Sequence, residues 1–297
     1  MRASWNLLVL LAAFPTACID LPRPEPLAGG QSEVAEATRL TAVGRVAALR
    51  SGPETGPRIL YLHGTPGSSG NWLDYLRDPI GGFESFAIDR PGFGRSGDEV
   101  RLPLADQVAA AAPYLASGRP NVVVGHSLGA PIAAWLAASY PQHVDGLVLL
   151  GSSLDPELEC IAWYQVGARG LEPVVPDILN KANDEVWDLD EELRLLQPML
   201  QDIRCPVAIV HGTEDTLVPY ANVDYMLEEL VNAERVDVWT VEGGDHFVLW
   251  RDEDEPFVRQ AIESVLPGTE VSEFPVFAAD DPALDEWPFD ATLAEPG

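Results

Sequence analysis

The 297-residue sequence has one lysine, Lys181; arginine supplies every other positive side chain. Against 18 basic residues stand 47 acidic ones, for a formal net charge of −29 at pH 7. That balance argues against nucleic acid or anionic lipid as an electrostatic partner. It fits solubility, or a salty environment that screens self-repulsion, and it says nothing about substrate. Cysteine is scarce too. Cys18, Cys160 and Cys205 are too few for a disulfide scaffold, and no metal-ligand spacing appears. No metal or cofactor is expected. The Gly-x-x-x-x-Gly-Lys phosphate pattern is absent. The apolar run at residues 7–14 is too short to span a bilayer.

The chain is long enough for a large core, and 46% of its residues are hydrophobic. One α/β domain with appendages is the simplest count. Residues 1–18 read as a secretory signal: Met1-Arg2, the apolar run, then Pro15-Thr16-Ala17-Cys18. Small residues before a cysteine resemble the lipobox of bacterial lipoproteins, with Cys18 as the lipidated residue. Pro15 departs from the aliphatic residue that pattern prefers. The expectation is an exported cell-envelope protein anchored through Cys18, with plain secretion or a soluble periplasmic protein as the alternative. Stable anchoring needs several acyl chains, since one binds only marginally. Residues 19–36, rich in Pro, Gly and Glu, read as a tether. Residues 268–297 have no Lys or Arg and read as an acidic, partly disordered tail whose aromatics dock on the domain.

Between these ends, strands alternate with helices, which predicts a doubly wound, mostly parallel sheet over residues 37–154 and 204–267. Residues 38–43 and 45–50 alternate around Gly44 as a hairpin at its start. The centre is Asn121-Val122-Val123-Val124, a strand buried on both faces. Gly125-His126-Ser127-Leu128-Gly129 follows and enters a helix of small residues. A strand that turns into a helix through G-x-S-x-G is a nucleophile elbow. It predicts strained backbone angles at Ser127 and no room for a Cβ at positions 125 and 129. The helix N-terminus is aimed at the serine and offers free N–H groups to an oxyanion.

Another strand runs into His63-Gly64-Thr65-Pro66-Gly67. If this loop lies beside the elbow, the amides of Thr65 and Leu128 form a pair of oxyanion donors. Asp89 and Arg90 open a glycine-rich loop and are read as fixing its shape. After the sixth strand the rhythm breaks. Residues 155–203 carry no β signal and read as a small helical cap over Ser127, with apolar faces from Trp187, Leu189, Leu193, Leu195 and Leu196. Cys160 and Cys205 flank it, either bridged or as two free buried thiols.

A serine that attacks a carbonyl needs a base, a group that orients the base, and oxyanion donors. Of five histidines, His63 and His126 sit inside loop motifs, His143 is placed on the surface, and His211 shapes a turn. His246, in a Gly-Gly loop after the last strand, can reach Ser127 as the base. Asp215 follows the penultimate strand and can orient it. Asp155 is a rival position. Glu214 points differently, and Asp245 is too close in sequence.

The order Ser127, Asp215, His246, with His63-Gly64-Thr65-Pro66-Gly67 and Gly125-His126-Ser127-Leu128-Gly129, resembles the α/β-hydrolase superfamily over roughly residues 39–266. Relatives that use an Asp nucleophile are disfavoured by Ser127, and proline iminopeptidases by Thr65. The resemblance implies a cofactor-free serine hydrolase of small-molecule ester or lipid substrates. An aminopeptidase, amidase or acyltransferase on the same residues is one alternative. A non-catalytic envelope binding protein is the other.

Overall fold

The computed structural model describes residues 32–97, 102–159 and 175–267. The signal at 1–18 with Cys18, most of the tether, residues 160–174 of the expected cap with Cys160, and the acidic tail lie outside the described residues.

One sheet of eight strands forms the frame: β1 (Ala35–Thr41), β2 (Gly44–Ser51), β3 (Arg58–Leu62), β4 (Glu84–Ile88), β5 (Asn121–His126), β6 (Gly146–Leu150), β7 (Val207–Gly212) and β8 (Val236–Val241). Their spatial order is β1-β2-β4-β3-β5-β6-β7-β8. Pairings of β1 with β2 and of β2 with β4 are antiparallel, and the rest are parallel. Seven α-helices accompany the strands among the described residues: α1 (Leu73–Arg77), α2 (Leu104–Ala111), α3 (Gly129–Ser139), α4 (Asp177–Trp187), α5 (Leu189–Leu200), α6 (Ala221–Glu229) and α7 (Glu255–Ser264). None is long and apolar enough to cross a membrane.

Successive strand side chains point to opposite faces, and the core divides accordingly. Leu60, Leu62, Val123, Leu147, Leu149, Val207 and Ile209 face the layer of α2, α3, α5 and α6. Ile59, Tyr61, Val122, Val124, Val148, Leu150, Ala208 and Val210 face α1 and α7. Both faces are covered, so the central strands read as unbroken apolar runs. Their order puts β5 in the middle, with the loops after β3, β5, β6 and β7 all at one edge.

The hairpin begins two residues before the expected core boundary at 37, because Ala35 and Glu36 pair with Arg50 and Leu49. Those two residues belong to the sheet, not to the tether. Gly44 turns the hairpin at φ +120°. Residues 177–200 between β6 and β7 are helical, in two pieces of different character. Helix α5 buries Leu189, Leu193, Leu196 and Leu200 in the cluster that holds α3, while Leu195 faces out. Helix α4 buries only Ala182 and Glu185. Cys205 is a free thiol in the same cluster, and burial pushes it up to about 12.

Candidate active site

Ser127 stands between β5 and α3 at φ +53°, the one non-glycine residue with positive φ among the described residues. Such a conformation costs energy and persists only when its surroundings impose it. Here glycines impose it. A Cβ on Gly125 would lie 2.4 Å from the Gly129 carbonyl oxygen, and one on Gly129 would lie 2.3 Å from the Leu62 carbonyl oxygen. Strand and helix therefore approach as only glycine allows. The Ser127 amide donates to Leu150 O at 2.9 Å, which ties the turn to the end of β6.

Asp215 and His246, expected to meet, do so. The His246 Nδ1–H donates to Asp215 Oδ2 at 2.7 Å, and the Asp215 side chain is fully withdrawn from water. Its other oxygen accepts from the amides of Leu217 and Val218 at 2.9 and 2.8 Å. Burial by itself would raise this carboxyl. Hydrogen bonding from His211 and His246, and the amide of Val218, outweigh it and hold the group well below the usual carboxylate range. With Nδ1 donating, a neutral His246 presents Nε2 as an acceptor. Gly151 lies against the pair at φ +49°, a left-handed conformation that favours glycine.

The other acidic candidates are occupied elsewhere. Asp155 accepts from the Glu157 amide within its own turn, and its amide donates to Asn222. Asp245 accepts from the Phe247 amide, and Glu214 is exposed.

The remaining histidines build the surroundings. His63 donates from Nδ1 to Gly64 O at 2.7 Å and accepts at Nε2 from the Arg90 amide at 3.0 Å. Burial, then the Arg90 charge, pushes it far below its ordinary value. His126 donates from Nε2 to His246 O at 3.1 Å. Burial and the neighbouring His246 push His126 down to about 3, so it stays neutral. This bond fastens the residue before Ser127 to the loop that carries His246. Trp250 stacks edge-on against the His126 ring at 5.0 Å. His211 donates to Val218 O and lies 3.5 Å from Asp215, which fixes the turn that carries the carboxylate.

The loop after β3 lies against the elbow, since a Cβ on Gly64 would come within 2.8 Å of Ser127 Cβ. The Thr65 amide follows directly. Neither it nor the Leu128 amide has a hydrogen-bond acceptor among the described residues. The structure thus pairs Asp215 with His246, fastens their loop through His126 to the turn at Ser127, and leaves two amides unspent beside that turn. Such a set can deprotonate a hydroxyl and hold an oxyanion.

Sequence reading missed one feature of this edge. Arg90, read there as a loop former, is wholly buried and forms a bidentate ion pair with Glu185 of α4, at 2.7 and 3.0 Å. The residues are 95 apart, and no local pattern in the sequence joins them. Asp89 does shape its loop, accepting from the amides of Ser69 and Arg95. No group of three or more His, Cys, Asp or Glu among the described residues is arranged to hold a metal ion.

A family model described as the alpha/beta hydrolase fold matches residues 57–181. The chain is similar to protein ABHD8 of Mus musculus, 24% identical over 239 residues, 64% of this chain and 51% of that protein. It thus spans about half the length of that relative. Similarity also extends to a pimeloyl-(acyl-carrier protein) methyl ester esterase of Nitrosomonas europaea, 27% identical over 219 residues, 61% of this chain and 86% of that protein. The crystal structure of a membrane phospholipase A, a bacterial virulence factor, superposes with a TM-score of 0.59 at 21% identity, covering 78% of this chain and 86% of that one. Sheet order, elbow and these likenesses together identify the α/β-hydrolase fold in this chain.

Proposed function

We propose that the chain is a serine hydrolase of carboxylic esters or related acyl compounds. The observation that carries this is the buried 2.7 Å bond between His246 Nδ1 and Asp215, fastened through His126 to the strained turn at Ser127. His246 Nε2 takes the Ser127 proton as Oγ bonds to the acyl carbon. The oxygen of the resulting tetrahedral adduct accepts from the Thr65 and Leu128 amides. Collapse breaks the carbon–oxygen bond to the leaving alcohol, which takes the proton from His246. Water then gives a proton to His246 and attacks the acyl carbon; the bond to Ser127 Oγ breaks, Oγ takes that proton back from His246, and the carboxylic acid leaves. Asp215 holds the imidazole in the right tautomer and balances its charge.

The similarity to a methyl ester esterase favours an ester substrate. The inserted helices supply a cap over the site and shape acyl specificity. Export with an acyl anchor on Cys18 would bring the enzyme to a membrane.

The test is hydrolysis of p-nitrophenyl esters of increasing acyl length by the wild-type protein and by Ser127→Ala. Ser127-dependent turnover is expected. A short-chain optimum would indicate a small pocket, and a long-chain optimum a lipid substrate. No turnover in the wild type, or turnover that survives in Ser127→Ala, would overturn the reading.

A further inference from the structure

We propose that Arg90 and Glu185 are positioning residues for the Thr65 oxyanion amide, through which helix α4 is coupled to the reacting centre. This rests on the reading of Thr65 given above.

The guanidinium of Arg90 has five N–H bonds, and all five are spent. Nε donates to His63 O at 2.9 Å. One terminal nitrogen donates to Glu185 Oε1 at 2.7 Å and to Gln107 Oε1. The other donates to Glu185 Oε2 at 3.0 Å and to Gly64 O at 2.8 Å. Gln107 Nε2 closes the cluster on Glu185 at 2.9 Å.

The bond to Gly64 O is the informative one. That carbonyl and the Thr65 N–H are two ends of a single peptide group, and a peptide group is planar. Whatever fixes the direction of the oxygen fixes the direction of the N–H. His63 Nδ1 and Arg90 both donate to this oxygen. The cationic donor also polarises the amide and strengthens its N–H as a donor on the opposite side. Glu185 holds the guanidinium in place. Without it, a buried cation would lack its counter-ion and turn toward other acceptors. The position of α4 is therefore felt at the oxyanion amide, although α4 contributes no side chain to the catalytic set.

The test compares wild type, Ser127→Ala, Glu185→Gln and Arg90→Lys on p-nitrophenyl butyrate. A trifluoromethyl ketone, which forms a tetrahedral oxyanion adduct with an active serine, serves as the second probe. Thermal unfolding reports which variants fold. Glu185→Gln and Arg90→Lys are expected to keep KM and lose kcat by roughly 10- to 100-fold, short of the loss from deleting an oxyanion donor. Ketone affinity is expected to fall in the same ratio, which a merely structural role would not produce. Folded variants with wild-type kcat, or with a loss confined to KM and unchanged ketone affinity, would overturn the proposal. So would failure of both variants to fold, which would make the pair a fold element. Hydrolysis that survives in Ser127→Ala, or is absent from the wild type, would sink the site reading itself, a result seen without either positioning variant.

Discussion

Asp215–His246 and Glu185–Arg90 are two carboxylate–base pairs taken out of water at the same edge of one sheet. Glu185 meets Arg90 through both oxygens and Asp215 meets His246 through one, and each pair joins segments far apart in sequence. They differ in what the base has left over. His246 gives one nitrogen to Asp215 and keeps the other without a partner among the described residues. Arg90 spends every donor and cannot lose its proton. The first pair can move a proton, and the second can only hold geometry. A buried ion pair near a site is therefore sorted by its unspent valence.

The comparison breaks most visibly at Asp215. Asp215→Asn leaves the shape intact but removes the charge and the tautomer control. Ester turnover is expected to fall by about 10^4-fold, the scale known for such triads, with unfolding measured alongside to show that the variant folds. At the other pair the large effect is on stability. Arg90→Ala strands Glu185 in the interior, so a loss of about 3–5 kcal/mol is expected in urea unfolding. A loss under about 1 kcal/mol would mean that water reaches Glu185 freely.

Apolar seating sharpens the contrast. Leu196 of α5 is fully buried against α3. Leu196→Ala is expected to cost about 2–5 kcal/mol in unfolding free energy, with kcat unchanged in the folded protein. If its kcat fell as in Glu185→Gln, the two helices of the insertion would not be functionally distinct.

The smallest expected effect is on pH dependence. His126 has an ordinary value of 6.5 and is pushed down to about 3 in the fold. Between those values the unfolded chain binds the extra proton, so stability falls as pH drops from 6.5 toward 3. Asp215 acts in the same direction lower still: its depressed value contributes stability above the ordinary 3.8, lost as pH falls through the folded value. His126→Gln is expected to flatten the slope of unfolding free energy between pH 4 and 6 by at most about 1.4 kcal/mol per pH unit. An unchanged slope would mean that His126 is protonated in the folded state.

Legibility in the sequence followed the range of the cause. The elbow is local chemistry, two glycines and a positive φ within five residues, so Gly125, Ser127 and Gly129 could be read directly. Alternation and apolar runs gave the strands, but Ala35 and Glu36 were assigned to the tether because neither favours a strand and only pairing with β2 orders them. Asp215 and His246 were found from their places after consecutive strands, because a parallel sheet delivers such loops to one edge. Leucine spacing marked α5. Nothing local marked Arg90 and Glu185, whose meaning exists only once the loop after β4 and the insertion are folded together.

The most direct test of the central claim is labelling with a fluorophosphonate, followed by peptide mapping, in wild type and His246→Ala. The account predicts one label, on Ser127, formed rapidly in the wild type and lost or greatly slowed in the variant. A label on another residue, no label at all, or equal labelling in His246→Ala would contradict it.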